Sequence, residues 1–372
     1  MKRWYVSAAA SLIALLCCSS TMLAQMPLAT VPIGGYAMAI GFNAETNKIY
    51  VVGGLGNSLT EIDGLTFQST AIPLQSTGSQ VASSQLVVNP STNTIYVINV
   101  VSNNVAVIDG ATHAVAFVAT AASPYALGIN LVTNKLYVAD FNANMVTVID
   151  GNNLTVKNIT VGTNPSAIAV NSVTNRIYVA NSGSNNVSVI NGSNDAVTNV
   201  KVGLYPTALA VDVNRNKVYV ANTQGSNLTR INGQTNATES IPVDSYPSSV
   251  AVNGTTNKIY VAFQIPGNIV ILDGATEKTT TVPAGLYQNE IAVDELRNQI
   301  YVADPTGNQV VVIDGGTNKT TYLPGTSADL WRIAVNPLTN EVYAANLEGN
   351  SATIYAAAPA PLPVQLLEFL HH

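Results

Sequence analysis

Apolar and polar residues alternate in short stretches along most of this chain. The stretches are rich in valine, isoleucine, threonine and tyrosine, and asparagine or glycine stands at their ends. Alternation with a period of two over four to eight residues is typical of half-buried β-strands, and turn-forming residues delimit them. Paired-helix repeats would need alanine, leucine, glutamate and lysine in place of these residues. The pattern therefore predicts an all-β protein.

The predicted strands belong to a repeat of about forty-one residues, which is marked by a tyrosine between apolar residues. The fourth copy divides into four strands, at residues 166–171, 175–181, 186–191 and 197–203. Four antiparallel strands in about forty residues correspond to one blade of a β-propeller. The eight repeat tyrosines are Tyr50, Tyr96, Tyr137, Tyr178, Tyr219, Tyr260, Tyr301 and Tyr343.

Three sets of turn residues recur with the tyrosine. An asparagine three places before it suits the left-handed backbone of a tight turn. An Asp-Gly or Asn-Gly pair after the third strand predicts a hairpin, with the first residue capping the turn. An asparagine or aspartate three places after the tyrosine is predicted to close the next turn by side-chain-to-backbone bonds. The first set is Asn47, Asn93, Asn134, Asn175, Asn216, Asn257, Asn298 and Asn340; the second begins at Asp63, Asp109, Asp150, Asn191, Asn232, Asp273 and Asp314; the third is Asn99, Asp140, Asn181, Asn222, Asp304 and Asn346.

The strand count predicts how the ring closes. The first three strands occur eight times, but only seven copies of the fourth strand lie between them. Residues 29–42 align with residues 158–171, so the N-terminal stretch supplies the missing outer strand and then begins the first inner one. We predict eight blades closed by the N-terminal strand, with seven blades as the alternative, because a closed ring leaves no sheet face unburied.

The run "TNRIYVANSGSNNVSVING" and its counterparts resemble the YVTN β-propeller repeat family, whose members are exported and surface proteins of bacteria and archaea. The resemblance covers roughly residues 28–357. It implies a propeller, typically with seven blades, and it says little about activity, because the motif consists of turn and core residues. Similar propellers include lactonases and an antibiotic lyase.

The first two dozen residues have the layout of a secretory signal: Lys2 and Arg3, an apolar run, and small residues near Ala24. We therefore expect a signal peptide at 1–24, a propeller domain at 25–357 and a Pro/Ala-rich tail at 358–372. The protein is expected to be periplasmic, extracellular or on the cell surface. Both cysteines lie in the signal, so the mature chain is expected to fold without disulfides.

The composition limits the classes of molecule that the protein could bind. The net charge is −6, only 10% of residues are charged, and lysines and arginines form no run, which argues against nucleic acid. No apolar run after the signal reaches the ~20 residues of a spanning helix. The remaining partners are a protein, a glycan or a small molecule.

Few residues suit catalysis or metal binding. Outside the signal there is no cysteine, and His113 is the only histidine apart from the terminal pair. His113 replaces a turn asparagine and is expected to be a solvated turn residue. The repeated Asp-Gly carboxylates are spread over different blades, so they cannot share one ion. No catalytic residue, metal or cofactor is predicted.

The candidate ligand site lies where the repeat is broken, in the loops that lead into the inner strands. Four tyrosines stand at one aligned position there, and three places further on most units carry alanine or serine. In that second position unit two has Gln85, unit seven Glu290 and unit eight Arg332, and the two charges are expected to pair. Aromatic and polar side chains in a concavity are typical of small-ligand or glycan sites. The candidate residues are Tyr36, Tyr205, Tyr246, Tyr287, Glu290, Trp331 and Arg332.

Three functions stay open from the sequence. The first is a non-catalytic exported propeller that serves as a binding or interaction scaffold. The second is a lactonase-like or lyase-like enzyme that uses carboxylates and an arginine near Glu290 and Arg332; a deeply buried Glu290 with a strongly shifted pKa would favour it. The third is a structural surface-layer or adhesin component. In an ordinary structural interpretation, the tyrosines wedge between blades and the two charges only pair with each other.

Overall fold

The computed structural model describes residues 27–54, 57–74, 85–243, 246–263, 267–285, 288, 290–326 and 329–356. The expected signal peptide, the expected tail and Tyr287 lie outside the described residues. Within them every regular element is a β-strand, and the strands form eight four-stranded antiparallel sheets. The all-β propeller prediction is confirmed.

Each sheet is one blade, and its strands succeed one another from the axis of the ring to the rim. The innermost strands are β2 (Ala37–Asn43), β6 (Leu86–Asn89), β10 (Pro124–Asn130), β14 (Pro165–Asn171), β18 (Pro206–Asp212), β22 (Pro247–Asn253), β26 (Ile291–Asp294) and β30 (Leu330–Asn336). The second strands are β3 (Lys48–Gly53), β7 (Thr94–Asn99), β11 (Lys135–Asp140), β15 (Arg176–Asn181), β19 (Lys217–Asn222), β23 (Lys258–Phe263), β27 (Gln299–Asp304) and β31 (Glu341–Asn346).

The outer half of each blade holds the third and fourth strands. The third strands are β4 (Ser58–Asp63), β8 (Asn104–Asp109), β12 (Met145–Asp150), β16 (Asn186–Asn191), β20 (Asn227–Asn232), β24 (Asn268–Asp273), β28 (Gln309–Asp314) and β32 (Ser351–Ala356). The outermost strands are β5 (Ser69–Pro73), β9 (Val115–Ala119), β13 (Val156–Thr160), β17 (Val197–Lys201), β21 (Thr238–Pro242), β25 (Thr279–Pro283), β29 (Thr320–Pro324) and β1 (Pro27–Pro32). Blades 1 to 8 are numbered in the order of their innermost strands.

The N-terminal strand closes the ring, as the strand count predicts. β1 pairs antiparallel with β32 and forms the outer edge of blade 8, with Val31 opposite Ala352. Innermost strands of successive blades contact each other, and β2 of blade 1 contacts β30 of blade 8. The eight-blade prediction is therefore confirmed. We call the end of the ring where the innermost strands begin the upper face, and the end where they finish the lower face.

The core lies between the blades. In one cluster the repeat tyrosine Tyr178 and Val189 of blade 4 pack against Val218 and Val220 of blade 5, and all four side chains are buried. The other repeat tyrosines are buried in the same way. Each sheet face therefore depends on the next blade for its burial, which is why closure matters.

The asparagines before the repeat tyrosines have the predicted left-handed backbone. Asn175 has φ 50°, and its seven counterparts have φ values between 49° and 59°. In the fourth blade Asn175 lies in the turn before β15, and the outermost strand ends at Lys201. The predicted strand bounds were therefore too long by one residue at the first place and two at the second.

The Asp-Gly pairs open a hairpin, as predicted, and the turn between the third and fourth strands spans residues 64–68 in blade 1. In blade 1 the left-handed residue is Phe67, three places after Gly64, and the amide of Phe67 donates to the carbonyl of Asp63. The Asp63 carboxylate caps the turn as predicted, because it accepts from the amides of Leu65 and Thr66. Gly64 is needed for close contact: a Cβ there would lie 2.6 Å from Asn47 Oδ1.

The third set of turn residues is buried, and most of its bonds go to side chains. Asn181 Nδ2 donates to Asn186 Oδ1 and Ser188 Oγ, at 2.7 and 2.9 Å. Asp140 and Asp304 do accept backbone amides, from Thr147 and Gly307. Asn222 Nδ2 donates to the Asn227 carbonyl at 3.2 Å. The expectation of side-chain-to-backbone bonds therefore applies to the aspartates and to Asn222, and it is wrong for Asn181.

A chain of amide hydrogen bonds links the blades at the lower face. The asparagine that ends an innermost strand donates Nδ2 to the turn asparagine of the next blade, as in Asn171 to Asn216 Oδ1 at 3.1 Å. The other links of this kind are Asn43 to Asn93, Asn89 to Asn134, Asn130 to Asn175 and Asn253 to Asn298. The repeat asparagines thus serve two purposes, turn geometry and contact between blades.

Two blades replace this link by an ion pair. Asp212 ends the innermost strand of blade 5, and its Oδ2 lies 3.3 Å from Nη1 of Arg215, which donates at 2.7 Å to the carbonyl of Gly254 in blade 6. Asp294 and Arg297 repeat the arrangement in blade 7, where Nη1 donates to the Pro337 carbonyl. A carboxylate cannot donate, so the arginine three residues later makes the contact between blades.

Candidate functional site

One aligned position in each blade, in the innermost strand or directly before it, lines the central channel. In six blades the pairing with the second strand shifts by one residue just before this position, as between Pro165 and Ala167. Such a bulge redirects the following side chain. The channel positions, from blade 1 to blade 8, are Ala39, Gln85, Ala126, Ala167, Ala208, Ser249, Glu290 and Arg332.

The three large polar side chains at this position reach toward the next blade. Gln85 Oε1 accepts from the Leu127 amide at 3.0 Å, and Glu290 Oε2 accepts from the Ile333 amide at 2.9 Å. Arg332 Nε donates to the Met38 carbonyl at 3.3 Å. These bonds hold the three side chains against the channel wall.

The structure brings Glu290 and Arg332 together, as the sequence suggested. Arg332 Nη1 lies 3.7 Å from Glu290 Oε1, too far for a hydrogen bond, and the side chains are 27% and 34% exposed. Burial by the channel walls raises the pKa of the Glu290 carboxyl, while the Arg332 guanidinium and the Ile333 amide lower it. The pair is therefore loose and open to water, and its carboxyl holds a proton more readily than an exposed glutamate.

A cavity of about 530 Å³ occupies the channel, and a second one of about 190 Å³ adjoins it. Gln85, Glu290 and Arg332 line both cavities. The opposite wall of the larger cavity comes from blades 3 to 6 and mixes apolar side chains with hydroxyl groups. The apolar residues are Ala126, Leu127, Ala167, Ile168, Ala208, Leu209 and Val250, and the hydroxyl groups belong to Tyr125, Ser166, Thr207, Thr223, Ser248 and Ser249. The charged side chains of the channel are thus confined to one side, and the other side is neutral.

The candidate tyrosines lie on the upper face, outside the described lining of the cavities. Tyr36, Tyr205 and Tyr246 are exposed. Tyr205 and Tyr246 have left-handed backbone, with φ 55° and 59°. The amide of Tyr205 donates to Asn185 Oδ1 of the preceding blade, and the serine and asparagine at the same position, Ser123 and Asn164, make the same contact. This position is therefore part of the repeat architecture, but a tyrosine is an unusual residue for it.

Sequence reasoning missed one aromatic residue of the site. Tyr125 lines the larger cavity, is 50% exposed and packs against Phe141 with ring centroids 5.4 Å apart. Four of the other blades carry serine or threonine at its position, blade 1 carries methionine and blade 7 asparagine, and blade 8 carries the candidate Trp331, which is partly buried. Comparison of the units at this column, two places after the tyrosine column, would have found Tyr125.

His113 contacts a neighbouring blade, so the expectation of a merely solvated turn residue is incomplete. Its backbone is left-handed, with φ 60°, and its Nε2 lies 3.1 Å from Glu61 Oε2 of blade 1. Lys48 Nζ lies 3.4 Å from the other oxygen of Glu61. The cluster is on the lower face, away from the channel site.

Within the part of the chain that the structure describes, no three His, Cys, Asp or Glu side chains are grouped closely enough to hold a metal ion. No helix among the described residues has the length and apolar character to cross a membrane.

The fold and the channel define an eight-bladed β-propeller whose channel is asymmetric. No protein-family model matches the chain, and no curated protein matches it. Solved structures share the propeller fold. A chain of the hydrazine synthase of Kuenenia stuttgartiensis has a TM-score of 0.62 and 16% identity, over 88% of this chain and 96% of its own. Sqt1 of Saccharomyces cerevisiae has a TM-score of 0.76 and 10% identity, over 90% of this chain and 100% of its own. At these identities the likeness concerns the fold alone.

Proposed function

We propose that the protein is a non-catalytic binding scaffold that takes a ligand at the upper mouth of its channel. The observation that carries the proposal is the asymmetry of the channel ring. Five blades place alanine or serine at the channel position, whereas Gln85, Glu290 and Arg332 line both cavities from blades 2, 7 and 8. A concavity on which a few polar groups converge, beside apolar side chains, is a usual form of small-ligand site.

The polar groups each make one hydrogen bond to the backbone of the next blade, but the fold does not depend on such bonds. Alanine suffices at this position in four blades, so the architecture does not require large side chains there. An ion pair at 3.7 Å that is open to water contributes little, on the order of 0–1 kcal/mol. Side chains that the architecture does not need, gathered in one cavity, are best explained by a ligand.

The exposed tyrosines support a site at the upper mouth. A bulky residue with positive φ is strained by roughly 1 kcal/mol or more, and such strain often accompanies function. Asparagine or aspartate would adopt this backbone more easily, and Asn164 and Asp329 do so at the same position. Tyr205 and Tyr246 thus occupy a position at which a less strained residue was possible.

Binding is tested by a thermal-shift screen of the mature protein against glycans, lactones and small carboxylates, since a ligand of the folded state raises its stability. Each hit is then titrated by calorimetry into the wild type, Arg332→Ala and the control Arg176→Ala, which removes an arginine at the lower face. We expect weaker binding by Arg332→Ala alone. Equal affinities in all three proteins would refute the channel as the site.

The raised pKa of Glu290 favours a second function, general acid catalysis in a lactonase-like or lyase-like enzyme. The loose, water-exposed pair argues against it, because a strongly active acid would be more deeply enclosed. Lactone hydrolysis that is lost in Glu290→Gln but retained in Arg176→Ala would establish the enzyme. If a lactone binds the wild type but is not hydrolysed, the enzyme is excluded and the non-catalytic scaffold remains.

We also propose that the protein is exported, on the strength of the charged, apolar and small-residue order of residues 1–24. The test is the intact mass of the protein from an expressing cell. A chain that begins at Gln25 in the exported fraction supports the proposal, and an uncleaved chain in the cytoplasm contradicts it.

A further inference from the structure

The amide of Gln85 has a fixed orientation. Its Oε1 accepts from the Leu127 amide, so its Nε2 is the atom left to face the cavities that Gln85 lines. An NH₂ group can only donate hydrogen bonds. The Nε2 of Gln85 therefore offers donors to a molecule in the channel.

The guanidinium of Arg332 offers donors to the same space. Nε is bonded to the Met38 carbonyl, and Nη1 is 3.7 Å from Glu290, beyond hydrogen-bond distance. Both terminal nitrogens can therefore donate to a ligand. Blade 1, between the blades of Arg332 and Gln85, has Ala39 at its channel position, and the cavity of about 190 Å³ is lined by all three residues. Two sets of donors thus flank a gap that no large side chain fills.

Glu290 limits the charge of the ligand. One carboxylate oxygen is held by the Ile333 amide, and the other is near Arg332 on the side of blade 7. Its negative charge offsets part of the arginine charge and repels a second negative charge on a ligand. A monoanion suits these surroundings better than a dianion such as phosphate.

The part of the far wall in blades 3 and 4 can hold an apolar ligand body. Across the larger cavity there are Ala126, Leu127, Ala167 and Ile168, with the half-exposed ring of Tyr125 at the mouth. The hydroxyl of Ser166 also lines this wall, but it already donates to the Pro206 carbonyl at 3.0 Å. A ligand whose charged end lies between Arg332 and Gln85 would extend its other end along this wall, where burial of apolar surface is favourable.

From these contacts we infer that the channel binds a small organic monocarboxylate, with its carboxylate over Ala39 between Arg332 and Gln85 and its apolar body against blades 3 and 4. This inference rests on the proposed binding function and names its ligand class. Arginine pairs well with a carboxylate because its planar donors match the two oxygens. The Gln85 amide adds a donor from the other side.

The test is calorimetric titration with hexanoate, its uncharged amide hexanamide, and inorganic phosphate. We expect hexanoate to bind at least about tenfold more tightly than either of the others, because charge-assisted hydrogen bonds are the strongest available. Arg332→Ala and Gln85→Glu should each weaken hexanoate binding by about tenfold or more. Gln85→Glu can still accept the Leu127 amide, as Glu290 does the Ile333 amide, so it should leave the fold intact.

Glu290→Gln supplies an opposite expectation. The glutamine can keep the bond from the Ile333 amide and removes the negative charge, so hexanoate should bind about three- to tenfold more tightly. The control Arg176→Ala should bind hexanoate as the wild type does. Melting curves of all variants establish that each is folded.

Three outcomes overturn the inference: hexanamide that binds as tightly as hexanoate, hexanoate binding that is unchanged in Arg332→Ala, or no hexanoate binding by the folded wild type. Its failure is separable from failure of the proposed function. If hexanoate does not bind, but a glycan or lactone binds the wild type and not Arg332→Ala, the carboxylate is excluded while the channel scaffold stands.

Discussion

The bond between Asn171 and Asn216 offers a quantitative test of how the blades are held together. Asn171 is fully buried, donates Nδ2 to Asn216 Oδ1, and accepts the amides of Val173 and Thr174 on Oδ1. Asn171→Asp keeps the acceptor but removes the donor. It also places a carboxylate oxygen about where the amide nitrogen stood, facing the oxygen of Asn216.

The expected loss follows from these contacts. The lost hydrogen bond is worth about 1 kcal/mol, and an acceptor left without a partner adds roughly 1–3 kcal/mol. We therefore expect Asn171→Asp to lower the free energy of unfolding by about 2–4 kcal/mol at pH 7. In blade 5, where the natural residue is Asp212, the oxygen of the next turn residue, Asn257 Oδ1, accepts no hydrogen bond among the described residues.

Thr174→Arg should rescue the variant. Thr174 is exposed and stands three residues after Asn171, as Arg215 does after Asp212. The new arginine can pair with the aspartate and reach the carbonyl of Val213, which corresponds to Gly254 in the natural case. We expect at least half of the lost stability to return, while Thr174→Arg alone has an effect within about 0.5 kcal/mol.

The assay is a double-mutant cycle by urea denaturation, monitored by circular dichroism, with midpoints and slopes compared across the four proteins. A coupling energy of about 1 kcal/mol or more in favour of the double variant is expected. A cycle in which the two changes simply add, or an Asn171→Asp protein as stable as the wild type, would refute this account of the links between blades.

Three further predictions follow from the fold. Deletion of residues 29–33 removes most of β1, including buried Val31, so the melting temperature should fall markedly; an unchanged melt would contradict closure by this strand. Gly151→Ala would place a Cβ 2.7 Å from the Asn134 carbonyl oxygen and should lower the free energy of unfolding by about 1–3 kcal/mol. The control Gly316→Ala should have little effect, because its Cβ would meet only Asp314 Oδ1 at 3.3 Å. Equal losses in the two variants would refute the close-contact role of the turn glycine. Burial raises the pKa of Asp140 to about 6, although bonds from Thr147 oppose the shift. Because this pKa lies above the unfolded value of about 4, the folded state binds the extra proton between these values and stability is lost as pH rises through 6. Asp140→Asn should therefore be more stable than the wild type by about 1–3 kcal/mol at pH 8 and similar to it at pH 4; a difference independent of pH would contradict the titration of Asp140.

The fold was accessible from the sequence because each blade repeats the same local solution. The asparagine before each repeat tyrosine, such as Asn175, adopts a left-handed turn in every blade. Eight copies of the surrounding pattern predict both the structure of a blade and the number of blades. The pairing of β1 with β32 followed from counting strands. The links between blades were not accessible, because Asn171 and Asn216 are far apart in the repeat register and their bond depends on how neighbouring blades pack.

The site was accessible only in outline. Glu290 and Arg332 were found as departures from a column of small residues, and both line the cavities. Tyr125 was missed because the comparison used the column of Tyr205 and Tyr246, two residues earlier. The direction of the Gln85 amide depends on the Leu127 amide of the next blade, and a linear sequence does not contain that contact.

The central claim, that ligand binding resides where the channel ring departs from the repeat, is tested most directly by making the ring regular. A variant with Gln85→Ala, Glu290→Ala and Arg332→Ala restores the residue that four other blades carry. A control with Val132→Ala, Val173→Ala and Leu338→Ala changes exposed side chains of the lower face. Calorimetric titration of both with the strongest ligand from the thermal-shift screen should show affinity lost by at least about tenfold in the regular ring and unchanged in the control. Undiminished binding by the folded regular ring would contradict the claim.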